Sequence, residues 1–218
     1  MTAQPVTVQP RRITDLQRSA FWIYGVTAMV MREPFALIIR HMSEEGLGNW
    51  QVRLELLRVV VVLLLLARLF LQSGLYFEIV YMQPDSASRF PRRSYPIDFL
   101  AGLKQFLMGA AATTAIGMHY RWGGQYAPFT LLVWLFLLVD VGWLAVAKLR
   151  GFSSINLIRR DAAWNTAILL ASLVMRSMAR VVNLDAVFAD QLALTVTALF
   201  CAGSIINEIR RYEAFDGG

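Results

Sequence analysis

Five charged residues lie deep within long apolar stretches of this chain, well away from their ends: Arg32, Glu33, Arg68, Asp140 and Arg176. An Arg, Lys or Asp at the centre of a membrane-spanning helix costs about 2.5–3.5 kcal/mol on insertion scales. Facing lipid, the five together would cost on the order of 10 kcal/mol or more. They must therefore face protein or water, and two chemistries follow. As pairs, they act as buried clamps that fix helix register. As a hydrated path, their surplus of Arg over acid attracts an anion or responds to the membrane potential. The predicted pairs are Glu33 with Arg176 or Arg68, and Asp140 with Arg68 through a long side chain or water. A voltage sensor fits poorly, because such helices repeat Arg at every third position and Arg176 and Arg180 stand four apart. No TVGYG-type potassium filter occurs.

The neighbours of these charges follow helical spacing. Asp161, Asn165, Ser172, Arg176 and Arg180 are separated by steps of 4, 7, 4 and 4, which puts them on one helix face. Asp190, Ala193, Thr197, Cys201, Ser204 and Glu208 follow at steps of 3, 4, 4, 3 and 4. A short turn around Asn183–Asp185 separates the two stripes. An antiparallel hairpin would aim both into one interior. Gly102, Gln105, Gly109, Thr113 and Gly117 form a third stripe, of small residues, which lets helix backbones approach closely in lipid. The candidate path or buried ion-pair residues are therefore Arg32, Glu33, Arg68, Asp140, Arg176, Arg180 and Asp190. The candidate packing residues are Gly102, Gly109, Thr113 and Gly117.

Other chemistry finds little support. His41 and His119 sit at the ends of apolar stretches, beside Met42 and Met118, with Glu44 and Glu45 near the first. Two imidazoles on facing helices could ligate haem, and His–Met pairs suit copper. Interfacial histidines at helix ends explain them more simply. The single cysteine, Cys201, forms no disulfide within the chain. There is no HExxH and no GxxxxGK[ST] loop. The expectation is a non-enzyme with no cofactor and no metal. No motif is specific enough to name a family.

The elements that must carry these residues are six apolar stretches, roughly 19–40, 56–82, 97–119, 128–147, 162–182 and 187–207. At about 1.5 Å per residue each can cross a hydrocarbon core of about 30 Å. The first is the weakest, because Arg32-Glu33-Pro34 interrupts it and proline kinks a helix. An interfacial helix is the alternative there. Lys and Arg collect in cytoplasmic loops. Six crossings place Arg11, Arg12, Arg18, Arg89, Arg92, Arg93, Lys148, Arg150, Arg159, Arg160, Arg210 and Arg211 on one side, against Arg40, Arg53, Arg58 and Arg121 on the other. The predicted fold is an all-α polytopic integral membrane bundle, six spans, with the N- and C-termini both cytoplasmic. It divides into a tail at 1–18, a transmembrane domain at 19–207 and a tail at 208–218.

Apolar residues make up 57% of the chain, which suits a bilayer better than water. The net charge of +6 lies in short loops where membrane insertion wants it, so nucleic acid is not expected as a partner. Residues 1–18 are polar and the next segment lacks a small-residue cleavage site, so no cleaved leader is expected. The excess of Arg over Lys points to a GC-rich bacterial genome and hence to the bacterial inner membrane. The expected partners are the lipid bilayer and either further copies of the chain or other membrane subunits. The expected function is transport, as a carrier or channel with a charged, partly hydrated path between helices. The alternative is a non-catalytic membrane subunit that anchors or scaffolds a larger complex.

Overall fold

A computed structural model describes residues 35–37, 39–77, 129–149 and 155–216, with the isolated positions 25, 29 and 32. The described residues form helices and their turns, with no strand among them. Four long helices are present among the described residues: α1 (Trp50–Phe77), α2 (Phe129–Leu149), α3 (Ile155–Val181) and α4 (Ala186–Asp216). A further helical stretch, 39–45, precedes α1 and ends at Gly46, whose φ of 70° is open to glycine without strain. Among the described residues, three segments are long and apolar enough to cross a membrane: Phe129–Val146, Arg159–Val181 and Ala186–Arg210. They fall on the fourth, fifth and sixth stretches of the sequence. The 56–82 stretch begins within α1, whose first turns carry Arg53, Glu55 and Arg58 ahead of the apolar run Val59–Leu66. The 97–119 stretch, with Gly102, Gly109, Thr113 and Gly117, lies outside the described residues, as do Glu33 and His119.

The exposed and buried faces are inverted relative to a water-soluble bundle. Leu138 on α2, Met178 on α3 and Leu199 on α4 are 57%, 60% and 66% exposed. Asn165, Ser172, Thr197, Ser204 and Glu208 are fully buried. Such a protein hides its polar groups and shows hydrocarbon to its solvent, as a bilayer demands.

Helices α3 and α4 form the centre, with α2 packed on α3 and α1 on α4. The α3–α4 hairpin is fixed locally. Asn183 takes φ 56°, the left-handed conformation that asparagine tolerates better than most residues. The Leu184 N–H donates to the Ala179 carbonyl at 2.9 Å and the Asn183 N–H to the Arg180 carbonyl at 3.0 Å. These two bonds make a Schellman ending, which closes the last carbonyls of α3. Asp185 follows at the cap of α4, and its carbonyl accepts from the Ala189 N–H at 2.9 Å. The hairpin expected from the short turn is thus formed, and the two polar stripes face each other inside it as far as Arg176 and Asp190.

The buried apolar layer is built from Leu54, Val61, Val62 and Leu69 of α1, Phe136 and Leu137 of α2, Ile168 of α3, and Leu194 with Cys201 of α4. Every packed helix contributes, so each must hold its register for the layer to close.

The hairpin makes a direct prediction. Asn183→Val forces a β-branched side chain into left-handed backbone and lowers stability by about 1–2 kcal/mol. Asn183→Gly relieves the same strain and leaves the unfolding midpoint equal or higher. Equilibrium unfolding of the purified protein in detergent measures both.

Candidate functional site

The polar groups of α3 and α4 form a seam along the hairpin, from Arg160 and Glu208 at one end to Arg176 and Asp190 at the other. At about 1.5 Å per residue, the 160–176 portion of α3 is about 24 Å long. It therefore runs through most of a hydrocarbon core.

The centre of the seam is Arg68 of α1, 1% exposed. Its Nε donates to Ser204 Oγ of α4 at 2.9 Å. Its Nη1 donates to Asn165 Oδ1 of α3. The other end of the same amide, Asn165 Nδ2, donates to Asp140 Oδ2 of α2 at 2.5 Å. One side chain on each of four helices thus meets at a single junction. The sequence predicts that Arg68 reaches Asp140 directly or through water; a fixed amide bridges them instead. An amide suits this place because it offers an acceptor to the cation and a donor to the anion, and it carries no charge of its own.

At one end, Arg160 Nη2 contacts both Glu208 oxygens at 2.6 Å, and Asp161 Oδ1 stands 3.7 Å from Arg160 Nε. At the other, Arg176 Nε lies 2.8 Å from Asp190 Oδ1, a contact of charge without the alignment of a hydrogen bond. The Arg176 guanidinium also sits 5.3 Å from the centroid of the Trp134 ring. Trp134 Nε1 donates to Ser172 Oγ at 2.8 Å, so the indole is held from both sides. The partner of Arg176 is therefore the hairpin neighbour seven residues beyond Asn183, just as Arg176 is seven before it.

The seam is not continuous. Ile168, fully buried, lies on the α3 face between Asn165 and Ser172. Thr197 of α4 turns its hydroxyl back to the Ala193 carbonyl at 2.8 Å and makes no cross-helix bond there. Polar levels thus alternate with an apolar one.

Of the sequence-predicted site residues, Arg68 and Asp140 join the central junction, and Arg176 and Asp190 pair at the hairpin end. Arg180 is exposed on the last turn of α3, beyond the seam. Arg32 is helical and exposed. Asn165, Ser204, Trp134, Arg160 and Glu208 are further members of the site, not among the candidates expected from sequence. The first two were legible as members of the stripes, Glu208 as the last of its stripe, and Trp134 had no periodic signal. A separate pair, Glu55 and Arg58 of α1, is also buried, with Nη1 2.6 Å from Oε1 and the guanidinium 5.8 Å from the Phe129 ring centroid.

Around His41 the picture is one of surface pairs. Arg40 Nε donates to Glu44 Oε1 at 2.8 Å and holds that exposed carboxyl below the usual carboxylate range. His41 Nδ1 lies 3.7 Å from Glu45 Oε1. No group of three or more His, Cys, Asp or Glu side chains placed to hold a metal occurs among the described residues.

These helices and their enclosed charges define the class: an all-helical protein of membrane type. Comparison with family models, curated proteins and solved structures gives no match for the chain.

The junction predicts strong coupling. Arg68→Leu or Asp140→Leu alone leaves a buried charge without its counterpart and costs about 3–5 kcal/mol. The double variant costs clearly less than the two single losses together. Unfolding titrations of the four proteins give the coupling, and strict additivity would show that the amide bridge transmits nothing.

Proposed function

We propose that the protein is a non-catalytic, multi-pass membrane subunit that anchors or scaffolds a larger assembly. The assembly consists of its own copies or of partner membrane subunits. One observation supports this reading above the rest. Arg68 and Asp140 are 1% and 5% exposed and are joined through Asn165, so the charged centre is spent on holding helices together. A permeation path needs water or cargo at its charges, and a buried apolar level at Ile168 interrupts the seam. The protein has six spans, with both ends in the cytoplasm of a bacterial cell and the bundle in its inner membrane. The basic residues support that threading. Lys148, Arg159, Arg160, Arg210 and Arg211 all fall at the same end of the described bundle. The link from Leu149 to Ile155 reaches at most about 22 Å, too short to cross about 30 Å of hydrocarbon, so α2 and α3 return on each other.

A second reading, transport or a channel, has one observation in its favour. The Arg176 and Asp190 side chains are 23% and 22% exposed, so the pair at the hairpin end of the seam is only partly covered by protein.

Two measurements test this. The native protein purified in mild detergent should run as an assembly larger than the 24.6 kDa chain, and Arg176→Ala should weaken that assembly. A lone monomer that carries ions into liposomes, with flux lost in Arg176→Ala, would replace the anchor reading by the transport one. For the threading, Leu184→Cys and Arg210→Cys in a Cys201→Ser background should react with an impermeant maleimide from opposite faces of the membrane, Arg210→Cys from the cytoplasm.

A further inference from the structure

The four-helix junction has an unused edge. The Arg68 guanidinium touches only neutral oxygens, Ser204 Oγ and Asn165 Oδ1, and Asp140 is reached at one remove. Its second terminal nitrogen, Nη2, is buried and has no hydrogen-bond partner. One helical turn further along α1, on the same face, the Gln72 amide nitrogen is in the same condition. Arg68 and Gln72 are 1% and 8% exposed. Residues four apart on a helix have Cβ atoms about 5–6 Å apart, so both groups can reach one small acceptor between them.

A buried donor without an acceptor costs about 1–3 kcal/mol, more when it is charged. Two such donors one turn apart, the first on a cation, call for the same complement. An acceptor that donates no hydrogen bond and carries negative charge suits both donors, because the direct partners of the guanidinium are neutral and the Asp140, Asp161 and Glu208 carboxylates act on it only at longer range. It must also be small, because neither donor is open to solvent. We propose that Arg68 Nη2 and Gln72 Nε2 form a binding subsite for a small monovalent anion of the halide class, held beside the junction. The subsite rests on neither functional reading: in an anchoring subunit the anion is a fixed part of the core, and in a transporter it lies beside the path.

The test uses the purified full-length protein in detergent, with chloride as the probe and gluconate as a bulky substitute at constant ionic strength. Chloride should raise the thermal unfolding midpoint saturably over gluconate. Gln72→Leu removes one donor and should raise the chloride concentration for half-maximal effect about tenfold. Gln72→Glu places a carboxylate one turn from Arg68. That variant should fold in gluconate with a midpoint at or above that of the wild type in chloride, and should no longer respond to chloride. Equal wild-type midpoints in chloride and gluconate would overturn the proposal and leave an ordered water as the acceptor. A chloride response unchanged in the Gln72 variants would overturn it too, because the anion would then bind elsewhere. If Gln72→Leu does not fold, the Gln72→Glu protein decides alone.

Discussion

Hydrocarbon cannot solvate a guanidinium, and Arg68 sits in the middle of an apolar helix. The rest of the described structure can be understood as the enclosure this one side chain requires. Four donors on a planar fork, with a fifth at Nε, must find acceptors inside the bundle. Each acceptor has to be carried by a different helix, since a single helix surface cannot surround a planar cation. Ser204 comes from α4, Asn165 from α3 and, behind Asn165, Asp140 from α2. Association of membrane helices lacks the hydrophobic drive available in water, so these polar bonds and close packing must specify the neighbours. The penalty for exposing Arg68 to lipid makes the arrangement close to all-or-none.

The hairpin supplies the ruler for this enclosure. With Asn183 fixing the reversal, Arg176 and Asp190 fall at one level and Arg160 and Glu208 at the other end. Between them Asn165 and Ser204 come opposite each other and are both available to Arg68. A slip of one residue in either helix would rotate a whole stripe by about 100° and move the carboxylates toward lipid. The turn therefore has an effect far beyond its own few hydrogen bonds.

Sealing and polarity coexist because they occupy different levels. The Ile168, Leu194 and Cys201 side chains are as thoroughly buried as the polar groups next to them. Such layering gives each polar cluster a fixed set of partners and a low local dielectric, which strengthens every satisfied bond and raises the cost of every missing one. That is the physical basis of the proposed anchoring role. It is also why two unpartnered donors on α1 motivate the proposed anion subsite.

What the sequence by itself determined is the solvent and the faces. The insertion cost of Arg68, Asp140 and Arg176 required a sheltered interior. The steps of three and four fixed which side of α3 and α4 lines it, and Asn183 with Asp185 announced the reversal. These follow from local geometry, since helical period and turn chemistry depend only on neighbouring residues. Only the tertiary structure decided who meets whom. Asp140 reaches Arg68 through Asn165, Arg176 pairs with Asp190 instead of a more distant acid, Arg180 lies outside the seam, and Trp134 becomes the shelf under a cation. Depth counted along single helices cannot settle such choices, because relative sliding and rotation of helices are set by packing summed over all of them, and a shift of a few ångströms exchanges one partner for another.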